Sequence, residues 1–428
     1  MVNNKRFTYL FLVIGMLFLS AIISCRSVRS YNSKPLKNQA FASEKDKVDI
    51  DVRVYHVNDS LTRIYYKIST ENLLFKRIDT TSNFYANLLV GCKILPEINS
   101  RTIIDSASVG LSFKFPEQGK DKFVEGVFSL KVKPANFAYV DLWVIDNYKN
   151  LKHSNPVAIN KKSKNVGQYY MIYTNNKINY TNNFFAGDIA RIESNVNQGQ
   201  IIYVDCFFKE FGPALPPFST AKPDEFKYKP DSTFSIRLEK SVELTMPTRG
   251  FYHLRSSSTE QSGLSLFTFE KAYPGVKDIG EMINCTRYIM NKVEFDNCKN
   301  SSDQKLCIDN FWLAIGGSNE RAKELLRKYY NRVMEANKAY TSYTQGWKTD
   351  RGMIFVNFGD PVNLYRSKNE EIWIYGPETD VNSLKFIFKK TENPFSDNDY
   401  ILQRSYIYQA PWFDMVDYWR QGRVILDK

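Results

Sequence analysis

The chain has 428 residues, of which 43% are hydrophobic and 15% aromatic, ample for packed cores in about two to four domains. The net charge of +12 fits a protein facing anionic lipid, lipopolysaccharide or acidic partners. No dense Lys/Arg stripe interleaves with aromatics, so a nucleic-acid partner is not expected.

The N-terminus reads as an export signal. Asn3-Asn4-Lys5-Arg6 is a short basic region, and residues 7–23 form an apolar run too short and wrongly flanked for a stable spanning helix. The run closes on Ile22-Ile23-Ser24-Cys25, which looks like a bacterial lipobox. That resemblance implies that residues 1–24 are a lipoprotein signal peptide. It also implies that Cys25 becomes the N-terminus, acylated on its thiol (palmitate among the chains) and on its new amino group. Several acyl chains on one residue anchor where a single chain cannot. By the same resemblance, Arg26 is not the Asp that retains such proteins at the inner membrane, and Arg26-Ser27-Val28-Arg29-Ser30 lacks an acidic surface-export run. The outer membrane is therefore expected, on the periplasmic side, with the cell surface as the alternative. Residues 25–45 read as the lipidated Cys and a polar, flexible tether.

Strands dominate after the tether. Val48, Ile50, Val52 and Val54 alternate with Asp49, Asp51 and Arg53, which predicts a half-buried strand over residues 47–57. Further strands are predicted at 61–69, 84–95, 101–106, 122–132 and 138–145, and their spacing suggests a β-sandwich over residues 46–150. Residues 147–165 are polar, carry Pro156 and read as a link. A second β-rich module is expected over residues 156–255, with strands at 171–174, 188–193, 201–208, 232–238 and 251–254. Residues 264–269 pair with the last of these. Pro213, Pro216 and Pro217 mark a loop.

Residues 279–315 are helical by pattern. Residues 319–343 contain no Pro or Gly, and Ala322, Leu325, Leu326, Tyr329, Val333, Met334 and Ala336 recur at helical spacing, with Ser318 or Asn319 as cap. Then comes Gln345-Gly346-Trp347-Lys348-Thr349-Asp350-Arg351-Gly352, with Gly346 suited to a helix stop. Residues 353–358 are short, apolar and aromatic and read as a strand ended by Gly359-Asp360-Pro361. Strands are predicted at 371–375, 384–388 and 400–408, and an aromatic amphipathic helix at 411–420 that either packs on the domain or offers a surface patch.

The turn has two readings. In the architectural one, Trp347 plugs the gap between helix and sheet, while Thr349 and Asp350 bond backbone donors in the turn. In the other, Asp350 and Arg351, with Asp360, form a binding or catalytic group. No His, Cys or second local carboxylate completes acid–base chemistry there, which favours the first.

The segment resembles the GWxTD-domain family of bacterial envelope proteins, in a Bacteroidota-like lipoprotein form. The likeness is carried by the turn itself, by Tyr329-Tyr330, Arg332-Val333 and Ala336-Asn337 before it, and by Phe358-Gly359-Asp360-Pro361 and Glu371-Ile372-Trp373-Ile374-Tyr375 after it. Arg287-Tyr288-Ile289 and Phe311-Trp312 extend it upstream. Members often carry a basic-acidic run with a Pro after the Phe-Trp pair; Leu313-Ala314-Ile315-Gly316-Gly317 stands here instead, so nothing resting on that run carries over. The family has no general assigned reaction. The resemblance implies an α+β GWxTD domain over residues 256–428 and an envelope location rather than an activity.

Other chemistry is sparse. Beyond Cys25, Cys92 and Cys206 sit in strand-like runs as small hydrophobes, while Cys285, Cys298 and Cys307 allow one disulfide whose pairing stays open. His56, His153 and His253 are scattered, and no Gly-x-Ser-x-Gly, His-Glu-x-x-His, P-loop, dinucleotide fingerprint or zinc spacing is present. No catalytic residue, cofactor or metal is expected. The sequence predicts two tandem Ig-like β-sandwich modules followed by the α+β domain. The first functional reading is a non-enzymatic structural or interaction subunit with protein partners in an outer-membrane complex for protein assembly or secretion. The second is an envelope enzyme or glycan-binding protein with a site near the turn.

Overall fold

The computed structural model describes residues 48–78, 83–98, 100–115, 122–133, 137–221 and 229–425. Cys25 and the signal peptide and tether expected over residues 1–45 lie outside them. The described chain is β-rich, with several sheets and a helical C-terminal region.

The first region holds β1 (Ile50–His56), β2 (Leu61–Ser69), β3 (Lys76–Arg77), β4 (Phe84–Leu95), β5 (Asp105–Lys114), β6 (Phe123–Lys131), β7 (Phe137–Asp146) and β8 (Leu151–Asn160). β1, β2 and β6 form one antiparallel sheet, and β3, β4, β7 and β8 a second, with β5 on the far edge of β4. The alternation read in the sequence puts Val54, Ile64, Tyr66 and Ile68 of the first sheet against Leu88, Val90, Val140 and Leu142 of the second in one core. The stretch read as a link contains β8, paired residue for residue with β7. Asn, Ser and Lys on this strand hide its pattern, because its side chains are mostly half-buried at a sheet edge.

The second region holds β9 (Met171–Thr174), β10 (Lys177–Ile178), β11 (Asn183–Phe185), β12 (Ile189–Glu193), β13 (Gln200–Phe207), β14 (Ser232–Leu238), β15 (Ser241–Thr245), β16 (Gly250–Arg255) and β17 (Leu264–Phe269). They form a sheet in the order β10-β9-β12-β15 and another in the order β11-β17-β16-β13-β14 that share a core. The second sheet continues past residue 255, because β17 pairs with β16.

The C-terminal region opens with α1 (Ile279–Cys285), α2 (Lys292–Asn300), α3 (Gln304–Gly316) and the long α4 (Asn319–Tyr340). Cys298 and Cys307 form a disulfide between α2 and α3, which leaves Cys285 as a buried free thiol. α3 stops where Gly317 turns left-handed (φ 70°), and α4 starts where the Ser318 side chain accepts the Arg321 N–H. Leu325, Tyr329, Val333 and Ala336 form the fully buried stripe of α4. After the turn comes α5 (Asp350–Phe358), then an antiparallel meander of β18 (Asn363–Arg366), β19 (Glu370–Tyr375), β20 (Leu384–Lys390) and β21 (Tyr400–Leu402), and α6 (Gln409–Arg420).

Residues 353–358 are therefore helix, not strand. Every residue from Asp350 to Asn357 is buried, so α5 has no wet face and shows no 3.6-residue period. A short continuous apolar run does not distinguish a buried helix from a buried strand. Residues 400–408 divide into β21 and a single 3₁₀ turn at Tyr406–Tyr408. An aromatic cluster of Phe207, Phe251, Phe267, Phe269, Tyr273 and Phe395 joins the second region to the C-terminal one.

Candidate functional site

The turn lies where α4, α5, β21 and the proline loop after β13 meet. Gly346–Lys348 makes one 3₁₀ turn, and Thr349 caps α5. The Thr349 hydroxyl donates to Gly346 O (2.8 Å) and accepts the Gly352 N–H (3.1 Å). Both glycines are required by contact. A Cβ on Gly346 would sit 2.0 Å from the Ala336 carbonyl oxygen of α4, and one on Gly352 would sit 1.9 Å from Gly346 O.

Trp347 is 1% exposed. Its indole N–H donates to Gln345 Oε1 (2.7 Å), its backbone N–H to Asn337 Oδ1 (3.1 Å), and its carbonyl accepts the Tyr288 hydroxyl (2.9 Å). Asn337 also donates to Pro274 O (2.8 Å), tying the turn to the segment after β17. The proline loop crosses the other side, where the Ala214 N–H donates to Lys348 O (2.8 Å).

The two charged residues point inward. Asp350 Oδ2 accepts the Leu402 N–H of β21 (2.8 Å) and Arg404 Nη1 (3.1 Å), and Oδ1 accepts Arg404 Nη2. Arg404 Nη2 also reaches Leu215 O of the proline loop (3.2 Å). Burial raises the Asp350 carboxyl above its ordinary value, and Arg404 and the Leu402 N–H oppose that rise. Arg351 donates to Glu371 Oε1 (3.2 Å) and to Asn398 O (3.0 Å), with its guanidinium 4.0 Å from the Tyr400 ring centroid. Glu371 also accepts Arg366 Nε (3.1 Å) and the Trp373 indole N–H (3.1 Å). Burial alone would raise the Glu371 carboxyl; Arg351 and Arg366 outweigh it and hold the carboxyl below its usual range.

Gly346, Trp347, Thr349, Asp350, Arg351 and Gly352 thus come together as one filled joint. Asp360 does not join them. It is exposed beyond the far end of α5, about 13 Å along the helix from Asp350. Asn337 and Glu371 entered the sequence reading only among the residues of the family likeness and Arg404 not at all, and none was named as a partner of the turn. Glu371 carries a weak signal, the second of two carboxylates (Glu370-Glu371) opening the run Ile372-Trp373-Ile374-Tyr375, whereas Arg404 between Gln403 and Ser405 resembles any polar loop residue.

Surface cavities of about 270 and 200 Å³ lie elsewhere, the first beside Asp51, Lys67 and Asn183 and the second beside His253, Arg255 and Phe395, and neither is lined by a residue of the turn. Residues 250–421 match the family model of the GWxTD domain. Comparison with curated proteins gave no match.

Proposed function

We propose, for a chain that carries a GWxTD domain over residues 250–421, that it is a non-enzymatic outer-membrane lipoprotein acting as a structural or interaction subunit of an envelope assembly. In this reading Cys25 is lipidated, the protein faces the periplasm, and two Ig-like sandwiches carry the GWxTD domain towards protein partners in outer-membrane protein assembly or secretion. The observation that carries it is the filled joint. Trp347 is buried, and the side chains of Thr349, Asp350 and Arg351 are committed to internal bonds, so none of these four is left for a ligand. The Cys298–Cys307 disulfide supports an oxidising compartment.

The function is tested at Asp350. Asp350→Asn replaces one acceptor oxygen by an NH2 that faces the Leu402 N–H or Arg404, donor against donor, and should cost roughly 1–3 kcal/mol. Loss of complementation should then track loss of stability. A variant that melts like the wild type yet fails to complement would point to an enzyme or glycan site instead. The anchor is tested by metabolic labelling with a fatty-acid analogue, where equal labelling of Cys25→Ala excludes it. Surface staining of intact cells would move the protein to the outer face.

A further inference from the structure

The sheet that holds β13, β14, β16 and β17 carries a polar row on the face turned away from its sandwich core. Cross-strand register sets Thr233 beside Asp205, Asp205 beside His253 and His253 beside Ser265. The next row is apolar, with Phe207, Phe251 and Phe267 side by side. Two segments cover this face. Phe395, from the loop between β20 and β21, packs its ring on Phe207, Phe251 and His253, with centroids 4.9–5.1 Å apart. The chain after β16 folds back so that Gln261 O accepts the His253 Nε2 proton (2.7 Å). Between the two covers lies the cavity of about 200 Å³.

The floor of the cavity is fixed by its own bonds. His253 Nδ1 accepts the Ser265 hydroxyl (2.9 Å), and Asp205 accepts the Thr233 hydroxyl (2.7 Å) and Arg255 Nε (2.6 Å). Arg255 Nη1 donates to Ser257 O, Ser258 O and Glu260 O at 2.9–3.2 Å. Arg255 Nη2 alone has no acceptor among the described residues, and it is not a buried atom, so a locked guanidinium holds one open donor at the cavity. The charges cancel. Asp205 and Arg255 are the only charged residues among those lining the cavity, and burial holds His253 at about 4, hence neutral at pH 7. Dehydrating a charged ligand here would not be repaid. An apolar group gains by burial against Phe207, Phe395, Pro230 and Pro394, and a neutral acceptor satisfies Nη2.

We propose that this cavity binds an apolar ring or chain bearing a neutral carbonyl, which accepts from Arg255 Nη2 while the apolar part packs between the two phenylalanines and the two prolines. An uncharged small amide has that chemistry, and so does an apolar residue within an extended peptide. The cavity lies away from the GWxTD turn, so its failure to bind would leave the Asp350 and Cys25 tests untouched.

Saturation-transfer NMR titrations of the full chain with phenylacetamide test this. Saturable binding is expected with a Kd of about 1–10 mM, the range for so small a probe. Phenylacetate and benzylamine, of the same shape but charged, should bind more weakly. Arg255→Lys keeps a cation beside Asp205 but removes the open donor, and should weaken phenylacetamide about tenfold. Ser258→Trp, on the exposed rim, sets an indole across the mouth and should abolish binding with an unchanged circular dichroism spectrum, which guards against a folding defect in the first variant. Phenylacetamide that never saturates overturns the proposal. So does a charged analogue that binds as tightly, or binding that survives both substitutions. A capped Gly-Gly-Phe-Gly-Gly peptide that binds tighter than phenylacetamide assigns the cavity to a protein segment, and one that binds more weakly assigns it to a free amide.

Discussion

Two joints in this molecule bury charge, and they do it in opposite ways. At the GWxTD turn, Asp350 and Glu371 face Arg404, Arg351 and Arg366, so carboxylate and guanidinium enter the interior together. Where the first β region meets the second, the buried groups are Arg53, His56 and Lys161. Arg53 donates to Asn179 O (3.0 Å), Asn182 Oδ1 (2.6 Å) and Tyr170 O (3.1 Å), and Lys161 to Asn58 O, Asp59 O and Val132 O at 3.0–3.2 Å. Burial depresses all three, Arg53 to about 10, Lys161 to about 8 and His56 to about 4, with Lys161 adding to the effect on His56. A joint of paired charges fails through geometry. A joint holding cations on neutral oxygens fails through protonation.

Geometry gives the largest effects. Gly346→Ala should prevent folding of the C-terminal region, because its Cβ would overlap the α4 backbone at 2.0 Å from Ala336 O and neither helix can withdraw without emptying the core. Trp347→Ala leaves a cavity instead and should cost about 3–5 kcal/mol. Denaturant melts of the full chain check both. A soluble Gly346→Ala protein with native stability would mean that the turn is looser than its contacts. The full chain matters, because residues 256–428 alone lack Phe207 and Phe251 of the aromatic cluster and should melt less cooperatively.

Acid should open the other joint. The His56 ring donates from Nε2 to Asn160 O and Gln168 Oε1 and accepts the Thr62 hydroxyl at Nδ1. His253 is likewise buried and depressed to about 4, first by burial. A histidine whose folded value lies below its unfolded 6.5 contributes stability that is complete above pH 6.5 and declines as the pH falls towards 4. The loss should approach roughly 3 kcal/mol for each ring. At the turn the shifts oppose each other. Glu371, held low, loses its contribution as the pH falls, while Asp350, held high, is relieved by protonation, so that joint changes less. Urea melts from pH 7 to 4.5 should therefore show a falling midpoint, flattened in His56→Gln. Parallel profiles for the two proteins would remove His56 from the explanation.

The sequence was most legible where one face of an element is buried and the other wet. β2 and β4 have the predicted bounds and alternate in burial, and α4 shows its stripe. It was least legible where that contrast vanishes. α5 is buried on every side and imitated a strand, whereas β5, wet on its serine face and half-wet on the other, was placed at 101–106 instead of Asp105–Lys114. The six residues of the turn could be named because they carry the likeness to the GWxTD family. Their partners could not, since Arg404 and Glu371 arrive from 54 and 20 residues away by tertiary folding.

The smallest expected effect separates hydroxyl from methyl at Thr349. The residue is half-buried, and its Oγ1 both accepts the Gly352 N–H and donates to Gly346 O. Thr349→Ala removes a helix cap and leaves a donor and an acceptor to be satisfied by water, which should cost about 1 kcal/mol. Thr349→Ser keeps both bonds and loses one methyl, so it should stay within about 0.5 kcal/mol of the wild type. Denaturant midpoints of the two variants resolve a difference of that size. If serine is as damaging as alanine, the methyl packing rather than the cap holds the start of α5, and the turn would then rest on volume at Thr349 as it does at Trp347.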